Sequence, residues 1–157
     1  MSYDLVIESA VSEPFARADV EAAITKFPQL RRYDAESYRS AATELVLTAE
    51  RPGAPVENLT LRLPYKELPG AFDGALDMAL GLAEQLGGRV VDAQLGLTVT
   101  AENRATSRAK AAEAAAWAKR LGAEFEAPPK PFVDTPAQAV ATTAGASGRP
   151  WWTFWAR

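Results

Sequence analysis

The segment Asn58–Leu63 restricts the fold more than any other part of this chain, because its side chains alternate strictly between apolar and polar. Its three leucines are separated by Thr60 and Arg62, and a period of two places the leucines on one face of a β-strand. A second strand is predicted over Thr43–Glu50, and Arg51–Pro55 between them is rich in turn formers, so the two strands predict a β-hairpin. A sheet with one leucine face needs a second layer to cover it.

The segment Ala71–Leu86 is predicted to supply that layer as an amphipathic helix. Its apolar residues recur at helical spacing, and Gly87-Gly88 follows the last of them as a C-cap signal. Asp73 and Asp77 lie in its first half, where negative charge favours the helix dipole. The apolar stripe consists of Phe72, Leu76, Leu80, Ala83 and Leu86, widened by Met78 and Leu82.

Strands and helices alternate along the rest of the chain up to Gly122. Strands are predicted over Tyr3–Ser9 and Arg89–Gln94, and helices over Arg17–Lys26 and Glu102–Leu121, the latter starting at Thr100 or Ala101. Leu30–Ser40 fits a polar strand or a loop, and Leu95–Thr100 either extends the preceding strand or forms a short one. The order β-α-β-β-α-β plus an extra C-terminal helix predicts an α+β, ferredoxin-like (split β-α-β) fold, an antiparallel sheet with helices on one face.

The inward faces of these elements predict the hydrophobic core. Its members are Leu5, Ile7, Leu45, Leu47, Leu59, Leu61, Leu63, Phe72, Leu76, Leu80, Leu86 and Val90. The last helix is rich in alanine, and its apolar side is predicted to approach a partner element closely. That side consists of Ala105, Ala109, Ala112, Ala116 and Trp117.

The composition changes after residue 127, which predicts a single domain over 1–127 and a Pro-rich extended tail over 128–157. Five of the eleven prolines lie in Pro128–Pro150, as in a linker or a segment that wraps over a surface. The tail ends in an aromatic cluster formed by Trp151, Trp152, Phe154 and Trp155. Such rings form an apolar patch too large for an ordinary monomer surface. The cluster is therefore predicted to dock on its own subunit, with a neighbouring subunit or another protein as alternatives.

No histidine and no cysteine occur in the 157 residues. Thiolate or imidazole zinc sites, Ser-His-Asp and Cys-His catalysis, disulfides and thiol redox chemistry are therefore excluded. The acidic residues show no metal-loop spacing, and we expect no metal and no cofactor. The net charge of −3 argues against nucleic acid as a partner. No apolar run reaches membrane-spanning length and the first ten residues are unlike a signal peptide, so we expect a cytoplasmic protein without a membrane partner.

The helix, the Gly-Gly pair and the strand that follows carry a family resemblance. The residues concerned are Gly87, Gly88, Val90, Asp92, Gln94 and Thr100. In this pattern the chain resembles the ZipA-type FtsZ-binding domain over about a third of its length. The resemblance implies a split β-α-β sheet whose apolar face binds a peptide.

Two further pairs of residues are candidate binding residues. Asp92 and Gln94 stand two apart on a predicted strand and hence on one face. Arg31 and Arg32 lie in a short stretch with neighbouring tyrosines, which is suited to an anion or an acidic protein. An edge or turn role for the first pair and a solvated loop for the second are the structural alternatives.

The leading prediction is a small non-catalytic protein that binds another protein, as regulatory, adaptor or toxin-neutralising immunity proteins do. One alternative is a small-ligand-binding domain or an enzyme that uses carboxylate, Lys, Arg or Tyr chemistry. A pocket ringed by Asp92, Gln94 and Tyr65 would favour that alternative, whereas a flat apolar sheet face would favour the binding module. The other alternative is a structural homo-oligomer held together by exchange of the tail.

Overall fold

The structure, a computed structural model, describes the backbone of residues 1–126 and the side chains of residues 1–122. Within this range the chain forms a seven-stranded antiparallel sheet, three α-helices and one turn of 3₁₀ helix, which confirms the α+β class. The elements are β1 (Ser2–Ser9), α1 (Arg17–Ile24), β2 (Arg31–Arg32), β3 (Ser37–Arg39), β4 (Glu44–Ala49), β5 (Val56–Pro64), the 3₁₀ turn (Tyr65–Glu67), α2 (Phe72–Leu86), β6 (Gly88–Asp92), β7 (Leu97–Thr98) and α3 (Arg104–Glu126). No helix in this range is both long and apolar enough to cross a membrane.

The sheet has the strand order β2-β3-β4-β5-β1-β6-β7. Strand β1 lies between β5 and β6, so Leu5 stands opposite Leu61 on one side and Asp92 on the other. Leu61 in turn stands opposite Leu45 of β4, which makes a continuous leucine row across three strands. The two edge strands are only two residues long, and short edges expose few unpaired backbone groups.

The core lies between the leucine face of the sheet and α2. Of the twelve predicted core residues, ten are buried, and the exceptions are Leu80 and Leu86. Leu80 lies at the edge of the α2 stripe and Leu86 in its last turn, so both are only partly covered. Leu82, which the sequence places at the side of the stripe, is completely buried.

Two segments that the sequence left open form strands, and the bounds of α3 differ from the predicted ones. The ambiguous segment 30–40 forms the hairpin of β2 and β3, with Arg32 opposite Tyr38. Leu97–Thr98 forms the separate short strand β7. Helix α3 begins at Arg104, because Asn103 supplies the first accepting carbonyl, and it continues through Gly122 to Glu126. A glycine inside a helix costs about 1 kcal/mol and does not stop it where good helix formers such as Ala123 follow.

The Gly-Gly pair between α2 and β6 needs glycine twice, for two different reasons. Gly87 ends α2 in the left-handed conformation with φ of 63°, which only glycine adopts without strain. At Gly88 a Cβ atom would lie 2.7 Å from the carbonyl oxygen of Glu8 and 3.0 Å from the ring of Phe15. The predicted C-cap is therefore confirmed, and close approach of β6 to β1 explains the second glycine.

Candidate functional site

Asp92, a predicted binding residue, lies at the end of β6 and is completely buried. Its Oδ2 accepts a hydrogen bond from the hydroxyl of Tyr3 at 2.7 Å, and its Oδ1 accepts from the backbone N–H groups of Gln94 and Leu95 at 3.0 and 3.2 Å. Burial, and then the hydrogen bond to Asp92, raise the pKa of Tyr3. Both carboxylate oxygens are thus used inside the protein, where they hold the turn between β6 and β7 against β1.

Gln94 lies just outside this buried network and reaches the surface. Its Oε1 accepts a hydrogen bond from the backbone N–H of Asp4 at 3.2 Å. It also lines a shallow cavity of about 270 Å³, together with Tyr65 of the 3₁₀ turn and Trp117 of α3. The remaining lining residues are Lys110, Glu113, Ala114 and Arg120. Two members of the pocket considered from the sequence, Gln94 and Tyr65, therefore meet, whereas Asp92 does not line this cavity.

Arg31 and Arg32 form the edge strand β2, and both are exposed. The guanidinium of Arg32 pairs with Glu21 at 3.2 Å and stands 5.6 Å above the centre of the Tyr38 ring. Charged side chains on an edge strand discourage the addition of another strand. The arrangement therefore gives Arg32 a structural role, and Arg31 remains an exposed cation at the sheet edge.

The sheet face opposite α2 carries few large apolar side chains. Its central row consists of Val46, Thr60, Val6 and Val91, all partly buried. The adjoining row contains Glu44, Arg62 and Asp4, whose charges alternate across three strands. This face is therefore mixed, and it is not a flat apolar sheet face of the kind that would favour a binding module.

The four aromatic residues of the predicted tail, Trp151, Trp152, Phe154 and Trp155, lie outside the described residues. The domain boundary expected at 127/128 also lies there. Docking of the tail, in the same subunit or in another, stays a prediction.

Helix α3 is held against α2 mainly by polar contacts. Arg104 pairs with Asp77 at 2.6 Å and Arg108 with Asp73 at 2.7 Å. Between these two arginines Ser107 is buried, and the hydroxyl of Tyr3 is 3.4 Å from its carbonyl oxygen. Exposed ion pairs contribute roughly 0–1 kcal/mol each, so these contacts add little free energy to the packing of α3.

The packed face of α3 is not the alanine face predicted from the sequence. The predicted residues Ala105, Ala109, Ala112, Ala116 and Trp117 are all exposed, and Ala111 is buried instead. The physical reason is that alanines alone provide no large side chain to fix the rotation of a helix. The packed face instead contains the buried Ser107 and Ala111, the ion pairs with α2 lie beside it, and the predicted face remains in solvent.

An apolar groove of about 640 Å³ lies between the second half of α3 and the 3₁₀ turn with the residues that follow it. Tyr65, Leu68 and Pro69 form one wall. The other wall consists of Ala112, Ala115, Ala116, Ala118 and Lys119 of α3, and Lys66 completes the lining. Small side chains on α3 create this space, because a larger residue at any of these positions would fill it.

Tyr65 and Trp117 form an aromatic pair beside the groove. Their ring centres are 6.3 Å apart and their planes are inclined at 83°, an edge-to-face contact. Such a pair contributes about 0.5–1.5 kcal/mol beyond its buried area. Trp117 is nevertheless 40% exposed, so a substantial part of what its indole could gain from burial is still available to a partner.

Sequence reasoning placed Tyr65 beside a possible pocket and Trp117 on an apolar helix face, but it missed the groove itself. The groove exists only because the 3₁₀ turn packs against α3. This contact joins residues about 50 positions apart, so no local pattern predicts it. A single large aromatic residue in a run of alanines was the available signal, since a buried helix of this length normally carries several large apolar residues.

Within residues 1–126 no group of three acidic side chains is placed to hold a metal ion. Comparison with known proteins adds no relative, because neither a model of any protein family nor any curated protein matches the chain.

Proposed function

We propose that this protein is a binding module whose partner is another protein, and that the groove between the 3₁₀ turn and α3 is its binding surface. The observation that carries the proposal is an open apolar groove with a half-exposed tryptophan at its border. Tryptophan and tyrosine are the residues that most often dominate the energy of protein interfaces. Trp117 and Tyr65 are therefore the expected anchors.

The dimensions of the groove suit a peptide segment. Its α3 wall runs from Ala112 to Lys119, which corresponds to about 10 Å at 1.5 Å per residue. That length accommodates about two turns of a helix or three residues of an extended strand. Small alanine side chains on the wall allow the backbone of the occupant to approach closely.

One observation favours a second candidate function, the binding of a small anion. The cavity beside Gln94 brings the Tyr65 ring together with Lys110 and Arg120. Lys110 already pairs with Glu113 at 2.9 Å, so one of the two cations is partly neutralised. This second candidate predicts that a small carboxylate or phosphate binds without any protein partner.

The fold supports one finer proposal. The order β4-β5-β1-β6, with α1 after β1 and α2 after β5, supports a ferredoxin-like core to which β2, β3 and β7 are added. A cytoplasmic location stays a prediction. The ZipA-type resemblance stays a prediction, and peptide binding through α3 would use a different surface from the sheet face that it implies.

Paired variants of α3 test the proposed surface. Ala112→Gln with Ala116→Gln places two bulky side chains in the groove, whereas Ala105→Gln with Ala109→Gln makes the same change on exposed positions outside it. All four alanines are exposed, so both proteins are expected to fold equally well. Affinity capture from the native host, quantified by mass spectrometry, should recover a partner with wild type and with the control.

The groove variant should lose that partner by roughly tenfold or more. Equal recovery by the groove variant and the control would place the binding surface elsewhere. Retention of a small anion, but of no protein, by the wild type would support the second candidate.

A further inference from the structure

We propose that the groove recognises an acidic segment of its partner, one in which aspartate or glutamate residues flank an apolar or aromatic side chain. This inference rests on the proposed function and gives the occupant its chemistry. It is drawn from the positive charges that border the apolar groove.

A lysine lies on each side of the groove. Lys66 belongs to the 3₁₀ turn and Lys119 to α3, and both line the groove with exposed side chains. The nearest acidic group to Lys66 is its neighbour Glu67, at 3.9 Å, and the side chain of Lys66 is 80% exposed. At this separation in solvent the attraction is weak, so the lysine remains available to another carboxylate.

Lys119 has no acidic partner on its own helix. The positions three and four residues away are Ala115, Ala116, Gly122 and Ala123, and residues at these spacings are the ones that meet on a helix surface. Among residues 1–122, whose side chains the structure describes, no ion pair includes Lys119. Arg120 adds a further positive charge next to the groove, in the cavity that shares Tyr65.

Elsewhere on the described surface, the arginines mostly have carboxylate partners. Arg17 pairs with Glu36, Arg39 with Glu44 and Arg89 with Glu8, each at 2.7 Å. The α3 arginines at 104 and 108 pair equally closely with α2. A chain with a net charge of −3 thus leaves cations without close partners around its apolar groove.

These charges predict how the complex forms. Cations at the rim of an interface steer an acidic partner and select against a basic one, while the apolar centre supplies most of the affinity. Since rim charges are screened over about 8 Å at physiological salt, binding should weaken as the salt concentration rises.

Selection from a random-peptide phage library on the immobilised full-length protein tests the inference without a known partner. The enriched peptides should combine an aromatic or leucine residue with flanking aspartate or glutamate. One enriched peptide is then made with a fluorescent label, together with versions in which its acidic residues are changed to the corresponding amides or to lysine. Fluorescence anisotropy measures the affinity of each version.

Two charge-reversal variants provide the matched comparison. Lys66→Glu with Lys119→Glu reverses both groove cations, whereas Lys26→Glu with Arg51→Glu makes the same change of net charge at exposed positions elsewhere. The groove variant should bind the acidic peptide roughly tenfold more weakly and gain affinity for the lysine version. The control should change both affinities only slightly. The affinity of wild type for the acidic peptide should decrease when the salt concentration is raised from about 50 to about 500 mM.

The outcomes separate this inference from the proposed function. Equal affinity for the acidic and amide peptides, with loss of both in the Ala112→Gln, Ala116→Gln variant, would overturn the acidic preference and leave the groove as the binding surface. If the enriched peptides bind this variant with the same affinity as wild type, both the acidic preference and the groove as the binding surface are overturned. The same follows if no peptide is enriched.

Discussion

The two long helices of this protein, α2 and α3, differ in how they are joined to the rest of the fold. Helix α2 has 15 residues and buries seven of them, among them Phe72, Leu76 and Leu82, against the sheet. Helix α3 has 23 residues, and among its side chains up to Gly122 only Ser107 and Ala111 are buried. The longer helix is therefore the one with less packing.

The difference shows that the size of apolar side chains anchors a helix more than its length or helix propensity. Large residues at helical spacing give α2 a fixed rotation on the sheet. Alanines favour the helical conformation of α3 but bury little area each, so α3 is held by small side chains, the Tyr65–Trp117 contact and ion pairs with α2. An exposed apolar face of α3 remains, which is the face assigned above to a partner.

The largest expected effect is in α2. Leu76→Ala removes a completely buried side chain and should lower the free energy of unfolding by about 2–5 kcal/mol. Urea denaturation followed by circular dichroism measures it. A loss smaller than about 1 kcal/mol would show that α2 is not the helix that holds the core together.

The next effect concerns the buried network beside both helices. Asp92→Ala leaves the Tyr3 hydroxyl and two backbone N–H groups without their acceptor and should cost about 1–3 kcal/mol. Asp92→Asn keeps an acceptor oxygen for the turn and serves as the milder control. Equal stability of the alanine variant and wild type in the same denaturation assay would contradict the structural role of Asp92.

Tyr3→Phe should cost about 1.5 kcal/mol at neutral pH, because it removes the hydrogen bond to Asp92. It should also change the alkaline limb of the stability curve. The pKa of Tyr3 is raised in the folded protein, whereas in the unfolded chain it is about 10. Below that pH the phenol is neutral in both states and its stabilising effect is complete. Above it the unfolded chain ionises, so this stabilisation is lost as the pH rises. Denaturation at several alkaline pH values should show a shallower decline for the variant, and an identical slope would refute the burial of this phenol.

Trp117→Ala should cost about 1–2 kcal/mol, since it removes an edge-to-face contact with Tyr65 and the covered part of an indole that is 40% exposed. Thermal unfolding of this variant and of Leu76→Ala under the same conditions compares the two losses of stability. A larger loss from Trp117 than from Leu76 would reverse the ranking of the two helices.

The smallest effect is expected from Arg104→Ala with Arg108→Ala. Loss of these two exposed pairs should lower global stability by less than about 1 kcal/mol. Hydrogen exchange should nevertheless become faster in α3 and remain unchanged in α2, because opening of α3 does not require the core to unfold. Faster exchange in both helices would mean that α3 and α2 open as one unit.

Local pattern predicted the elements that bury large side chains. The alternation in Asn58–Leu63, the stripe of α2 and the Gly-Gly cap each concern residues within one or two turns or one strand, where backbone geometry fixes which side chains share a face. The same patterns did not decide between strand and loop for Leu30–Ser40, because its pairing depends on β4, a neighbour in the sheet. They also failed for the packed face of α3, where alanine periodicity carries no information about rotation.

The sequence by itself determined the class of the fold, most of the core and the exclusion of histidine and cysteine chemistry, since composition and side-chain period are properties of the chain alone. Only the tertiary structure decided that Asp92 is enclosed by Tyr3 and a turn, that Gln94 meets Tyr65, and that the 3₁₀ turn and α3 leave a groove between them. These contacts join residues about 30 to 90 positions apart. Their geometry follows from how the elements pack together, which no local pattern encodes.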